Sequence, residues 1–128
     1  MPLLTLKILP VKMAICRLQP GEPVPACALL GEFFSVTRTA EELSIVCPEA
    51  LVPANFQAER GWRAFMVAGP LDFALTGILA GLSGALAEAG ISLFAISTYD
   101  TDYVLVKEYQ FEKACKSLEQ AGYAIIPA

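Results

Sequence analysis

Apolar residues recur along this chain with two different periods. Across Thr76 to Ala89, the residues Ile78, Leu79, Leu82, Leu86 and Ala89 fall at i, i+1, i+4, i+8 and i+11, a single helical face. From Gln110 to Ala121, Phe111, Ala114, Cys115 and Leu118 do the same, with Glu112 and Lys116 four apart on the opposite side. Gly90 and Gly122 follow these segments, where left-handed stops are expected. The remaining apolar runs, Gly61 to Gly69, Ile91 to Thr98, Tyr103 to Lys107 and Tyr123 to Pro127, are short and read as strands. Tyr99-Asp-Thr-Asp102 makes a hairpin turn, and Leu71 to Leu75 a loop. The predicted order over Trp62 to Pro127 is therefore β-α-β-β-α-β. This is the split βαβ, or ferredoxin-like, arrangement, an antiparallel sheet with both helices on one face.

The N-terminal half is less regular. Leu3 to Leu9 and Met13 to Leu18 read as strands joined near Pro10. Gln19 to Pro25 holds three prolines and a glycine and is read as a loop, followed by a short helix over Pro25 to Leu30. Phe33 to Thr37 and Leu43 to Cys47 pair as a second hairpin around Arg38 to Glu42, and Pro48 to Glu59 is a connector with one helical turn. The half reads as a worn copy of its successor. The expected division is a degenerate unit over 1–60 and a complete one over 61–128, an α+β protein of two ferredoxin-like (βαββαβ) units.

Composition narrows the function. In 128 residues, 55 % are apolar and 17 % charged, enough to bury a core. The stretch Phe73 to Leu86 is interrupted by Gly77, Gly81, Ser83 and Gly84, short of the roughly 20 apolar residues of a membrane span. Met1 to Pro10 has no basic leader and carries Lys7, so a cytoplasmic location is expected. A net charge of −4 disfavours nucleic acid and anionic membranes as partners. Cys16, Cys27, Cys47 and Cys115 form no C-x-x-C pair, and histidine is absent, so neither a metal site nor a histidine base is expected. The cysteines are expected to be reduced core thiols.

Two pieces could carry function. In Gly69-Pro-Leu-Asp-Phe-Ala-Leu-Thr-Gly-Ile-Leu79 a strand ends and a helix begins at Thr76-Gly77. The first helical amides lack internal partners and the macrodipole adds positive potential, so a carboxylate can sit there if a glycine leaves access. The alternative is that Thr76 caps the helix and Gly77 relieves packing. In Ile96-Ser-Thr-Tyr-Asp-Thr-Asp-Tyr103, Asp102 at the start of a strand serves either turn chemistry or a cation, such as an ammonium or guanidinium. Ala80-Gly-Leu-Ser-Gly84 is not a nucleophile elbow, no phosphate-binding loop is present, and Asp100 and Asp102 share one turn. No catalytic machinery and no cofactor are expected.

At these two pieces the chain resembles an ACT domain over Phe65 to Lys107, with Asp72, Gly77, Ile78, Leu82, Leu86, Gly90 and Ile91 in the usual places. Gly69-Pro-Leu-Asp-Phe73, Leu75-Thr-Gly-Ile-Leu79 and Ile96 to Val106 look more specifically like bacterial tandem-ACT proteins, which are similar to the cytosolic arginine-sensor branch of eukaryotes. Phe33 to Thr39 with Glu42 to Pro48 looks like their first, degenerate unit. The resemblance implies an amino-acid-binding regulatory protein without catalytic activity, a possible homodimer. The alternative is a ligand-free structural or protein-interaction module. It also implies a site in which Thr76, Gly77 and Ile78 offer backbone to the ligand carboxylate, with Leu75 beside them and Thr98, Tyr99 and Asp102 on the hairpin side. The step from Asp72 to Gly77 is longer than the usual ACT motif.

Overall fold

Where the periodicity is strongest, structure follows it. The computed structural model describes residues 4–68 and 76–128 and is α+β. Its strands are β1 (Thr5–Ile8), β2 (Met13–Leu18), β3 (Ser35–Arg38), β4 (Leu43–Pro48), β5 (Ala58–Val67), β6 (Phe94–Ser97), β7 (Asp102–Lys107) and β8 (Ala124–Ile126). Its helices are α1 (Ile78–Glu88) and α2 (Phe111–Gln120), with short 3-10 turns at Ala26–Leu29, Glu49–Leu51 and Glu108–Gln110. The order β5-α1-β6-β7-α2-β8 is the one expected from the sequence. The expected loop Leu71 to Leu75 lies outside the described residues. Among the described residues, no helix is long and apolar enough to cross a membrane.

Two compact units emerge, Val11–Trp62 and a second made of Met1–Pro10 together with Arg63–Ala128. In the second, Leu82 and Leu86 of α1 and Ala114 and Leu118 of α2 are buried against Phe65, Val67, Val104 and Val106. Both helices therefore cover one sheet face, with Ile78 and Leu79 only partly buried at its margin. Phe111 stacks on Phe65 with centroids 5.3 Å apart, and the Arg63 guanidinium lies 4.5 Å from its ring. Helix α1 stops as expected. Gly90 takes φ +73°, which lets Ile91 N–H donate to Leu86 C=O and Gly90 N–H to Ala87 C=O, each at 2.9 Å. The same bond pattern closes α2, from Tyr123 to Leu118 and from Gly122 to Glu119.

One expectation needs correction, and it concerns β1, which hydrogen-bonds within the second unit. It pairs antiparallel with β5 (Leu6 opposite Val67) and parallel with β8 (Leu6 opposite Ile125). The sheet is therefore not purely antiparallel as expected. The physical reason is burial: Leu6 is fully buried in the core of Phe65, Val67 and Leu86, and the apolar run of β1 fits between two strands.

The Val11–Trp62 unit contains no α-helix among its described residues. Its β2 and β4 pair antiparallel over six residues, from Met13 opposite Pro48 to Leu18 opposite Leu43, and β3 pairs with β4 as the expected hairpin. Thr39 N–H closes the hairpin onto Glu42 C=O at 2.9 Å. Arg38 holds the proline-rich loop by donating to the carbonyls of Pro20 and Glu22. Cys16, Ala28, Leu43, Ile45 and Cys47 form the core.

Replacing the fully buried Leu86 with alanine removes side-chain contacts and leaves a cavity, costing about 2–5 kcal/mol. The urea midpoint should fall at an unchanged slope, whereas Tyr109→Ala, at a position 83 % exposed, should shift it little. Equal shifts from the two variants would contradict this core.

Candidate functional site

The head of α1 is built on a backbone conformation, not on a capping side chain. Gly77 is the N-cap, at φ +77° and ψ 1°, with no side-chain capping bond. Its carbonyl accepts the first helical bond, from Gly81 N–H at 2.8 Å. A side chain is disfavoured there by the left-handed backbone, because Cβ would crowd the chain. Packing against the described residues is not the reason, since an added Cβ would meet none of their atoms within 4 Å. Among the described residues neither plainer alternative is seen: Thr76 is exposed and makes no capping bond, and Gly77 relieves no contact. The glycine that makes room is Gly81, where a Cβ would stand 2.7 Å from the Tyr123 hydroxyl. The result is an exposed helix start whose leading amides have no intrahelical acceptors. Ile78, the first helical residue, turns partly into the core.

The second element is the β6–β7 hairpin. Ser97 Oγ donates to Asp102 Oδ1 at 2.5 Å across the last pair of the ladder. Thr98 N–H donates to Thr101 C=O at 2.8 Å, and Thr101 N–H donates back to Thr98 Oγ1 at 3.2 Å. Thr101 Oγ1 then donates to Val67 C=O, the end of β5. That bond fixes the turn beside the strand exit from which the chain proceeds to α1. Thr98 is exposed, Tyr99 is 81 % exposed, and Asp102 is half-buried with its carboxylate engaged by Ser97.

The structure thus gathers Thr98 and Asp102 on one hairpin end and Thr76, Gly77 and Ile78 at one helix start, within the same unit. Leu75 and Asp72 lie outside the described residues. Sequence reasoning passed over Thr101, the one buried polar residue among those described. The Thr98-x-x-Thr101 spacing announces a turn but not the long-range bond to Val67. Nothing in the hairpin supplies a metal site, and no metal-holding group of three or more His, Cys, Asp or Glu occurs among the described residues.

Comparison with known proteins adds the following. Residues 57–120 match a family model described as ACT domain, and residues 12–55 match one described as an N-terminal domain. A Bos taurus protein named cytosolic arginine sensor for mTORC1 subunit 1 is 34 % identical over 88 residues, which is 60 % of this chain. The chain spans 27 % of that relative's length. The crystal structure of a structural-genomics protein from Agrobacterium tumefaciens superposes with a TM-score of 0.93 at 38 % identity, covering 100 % of this chain and 96 % of that one. The regulatory subunit of aspartate kinase from Thermus thermophilus superposes with a TM-score of 0.61 at 16 % identity, over 89 % and 96 % of the two chains, a likeness of fold.

Thr101→Val should leave the buried Val67 carbonyl without its partner, at a cost of about 1–3 kcal/mol. Thr101→Ser should retain most of the stability. Chemical denaturation of the three proteins checks this, and equal loss in both variants would mean that packing of the methyl group, not the hydroxyl, is what counts.

Proposed function

This chain belongs to the ACT-domain family, and on that premise we propose that it is an amino-acid-binding regulatory protein that catalyses no reaction. In this reading it comprises two ferredoxin-like ACT-type units, of which the N-terminal one is degenerate, its helices reduced to 3-10 turns. The observation that carries the reading is the uncapped, left-handed glycine start of α1. A ligand carboxylate would rest on backbone N–H groups around Thr76, Gly77 and Ile78, with Leu75 beside it. Thr98, Tyr99 and Asp102 would line the other side, the Asp102 carboxylate taking a cationic group. A guanidinium fits that role, in keeping with the arginine sensing for which the bovine relative is named. A cytosolic location and a homodimer belong to the same reading.

A second reading has one observation in its favour. Asp102 already accepts a hydrogen bond from Ser97, so the carboxylate also serves the hairpin. In that case the unit is a ligand-free structural or interaction module.

Thermal-shift measurements against the proteinogenic amino acids separate the two, because a ligand that binds only the folded state stabilises it by about 2.7 kcal/mol at 100 times its Kd. A rise in Tm is expected with at least one amino acid, arginine first. Asp102→Ala should weaken that ligand by roughly 30-fold or more, the size of losing one partner of a buried charged hydrogen bond. Gly77→Val should abolish binding, while Gly90→Val, which carries the same backbone strain at φ +73°, should bind normally. No shift with any amino acid at millimolar concentration supports the structural module. Loss of folding in Asp102→Ala would assign that carboxylate to the hairpin alone.

A further inference from the structure

Away from the proposed ligand site, a group of thiols lies in the Val11–Trp62 unit. Cys16 stands opposite Ile45 and Ala14 opposite Cys47, so Cys16 and Cys47 are diagonal neighbours on one face of the β2–β4 ladder. Each is 2 % exposed, and they share a core with Leu43, Ile45 and Ala28. Ala28 belongs to the 3-10 turn Ala26–Leu29, which also carries the half-buried Cys27.

We propose that Cys16 and Cys47 are an oxidisable dithiol, which hydrogen peroxide converts to a disulfide across β2 and β4. The Cys16 thiolate attacks one peroxide oxygen, the O–O bond breaks, and hydroxide leaves with the electron pair. The Cys47 sulfur then attacks the resulting Cys16 sulfenic sulfur, the S–O bond breaks, and water departs with the Cys47 proton. Two thiols and one peroxide become one disulfide and two waters.

The local chemistry favours this order of events. A hydrogen bond from Cys47 holds the Cys16 thiol below the usual thiol range, at about 7, against the opposing effect of burial and with help from the Arg60 charge. The same bond, with burial, pushes Cys47 up, leaving it the proton-bearing partner. Cys115, raised mainly by burial, lacks such a neighbour among the cysteines. Diagonal strand neighbours start about 7–8 Å apart, just beyond the span a disulfide bridges without backbone movement, so closure requires the two strands to draw together by about 1 Å. This site is independent of amino-acid binding.

The test treats the full chain with hydrogen peroxide, alkylates it under denaturing conditions, and maps peptides without reduction. The expected result is an intact mass lowered by two hydrogen atoms, two of the four cysteines withdrawn from alkylation, and a Cys16–Cys47 linked peptide. The bridge should persist in Cys27→Ser and Cys115→Ser and vanish in Cys16→Ser and Cys47→Ser. The map of the unaltered chain decides the matter should a variant fail to fold. A bridge to Cys27, sulfonic acid at Cys16 without a bridge, or full alkylation of both thiols under peroxide that oxidises free cysteine in the same tube would overturn the proposal.

Discussion

A ten-residue strand such as β5 presents N–H and C=O groups along both edges, and buried backbone groups have to be paired. β5 meets that demand with different partners along its length. Its first half pairs with β2, through Met13 opposite Trp62, and its second half with β1, through Ile8 opposite Phe65, while β7 also hydrogen-bonds to it. The boundary between the two compact units falls between Trp62 and Arg63. β5 ends at Val67, whose carbonyl anchors the β6–β7 turn through Thr101.

The candidate site inherits its character from that anchoring. Its described elements are backbone amides at a helix start and a short polar turn that carries Asp100 and Asp102. In the proposed reading these would hold complementary charges. Gly77 starts α1 through a left-handed backbone and not through a capping side chain. The same hairpin bond that places Asp102 also occupies part of its carboxylate, so in the proposed reading binding and structure would draw on one group.

Much of the architecture was readable because it rests on local rules. Helix faces at Leu82, Leu86, Ala114 and Leu118, the bond pattern after Gly90, and the β3–β4 and β6–β7 hairpins all follow from periodicity and turn chemistry over a few residues. Threonine is a good cap in general, so the sequence leaves open a cap at Thr76, whereas the N-cap is Gly77 and uses backbone freedom. The packing role of Gly81 has no local signal because it depends on Tyr123, which is far away in sequence.

What the sequence by itself determined is therefore the identity and order of the elements, the faces they bury, and the two short strings from which a ligand site could be built. Apolar period and glycine position encode these directly, since each depends on neighbours within a turn or two. Only the tertiary structure decided that β1 lies between β5 and β8, that Thr101 ties the hairpin to Val67, and that Cys16 and Cys47 share a face of one ladder. Strand partners, buried long-range hydrogen bonds and thiol neighbours are selected by which apolar surfaces fit together, and that competition leaves no local periodicity in the chain.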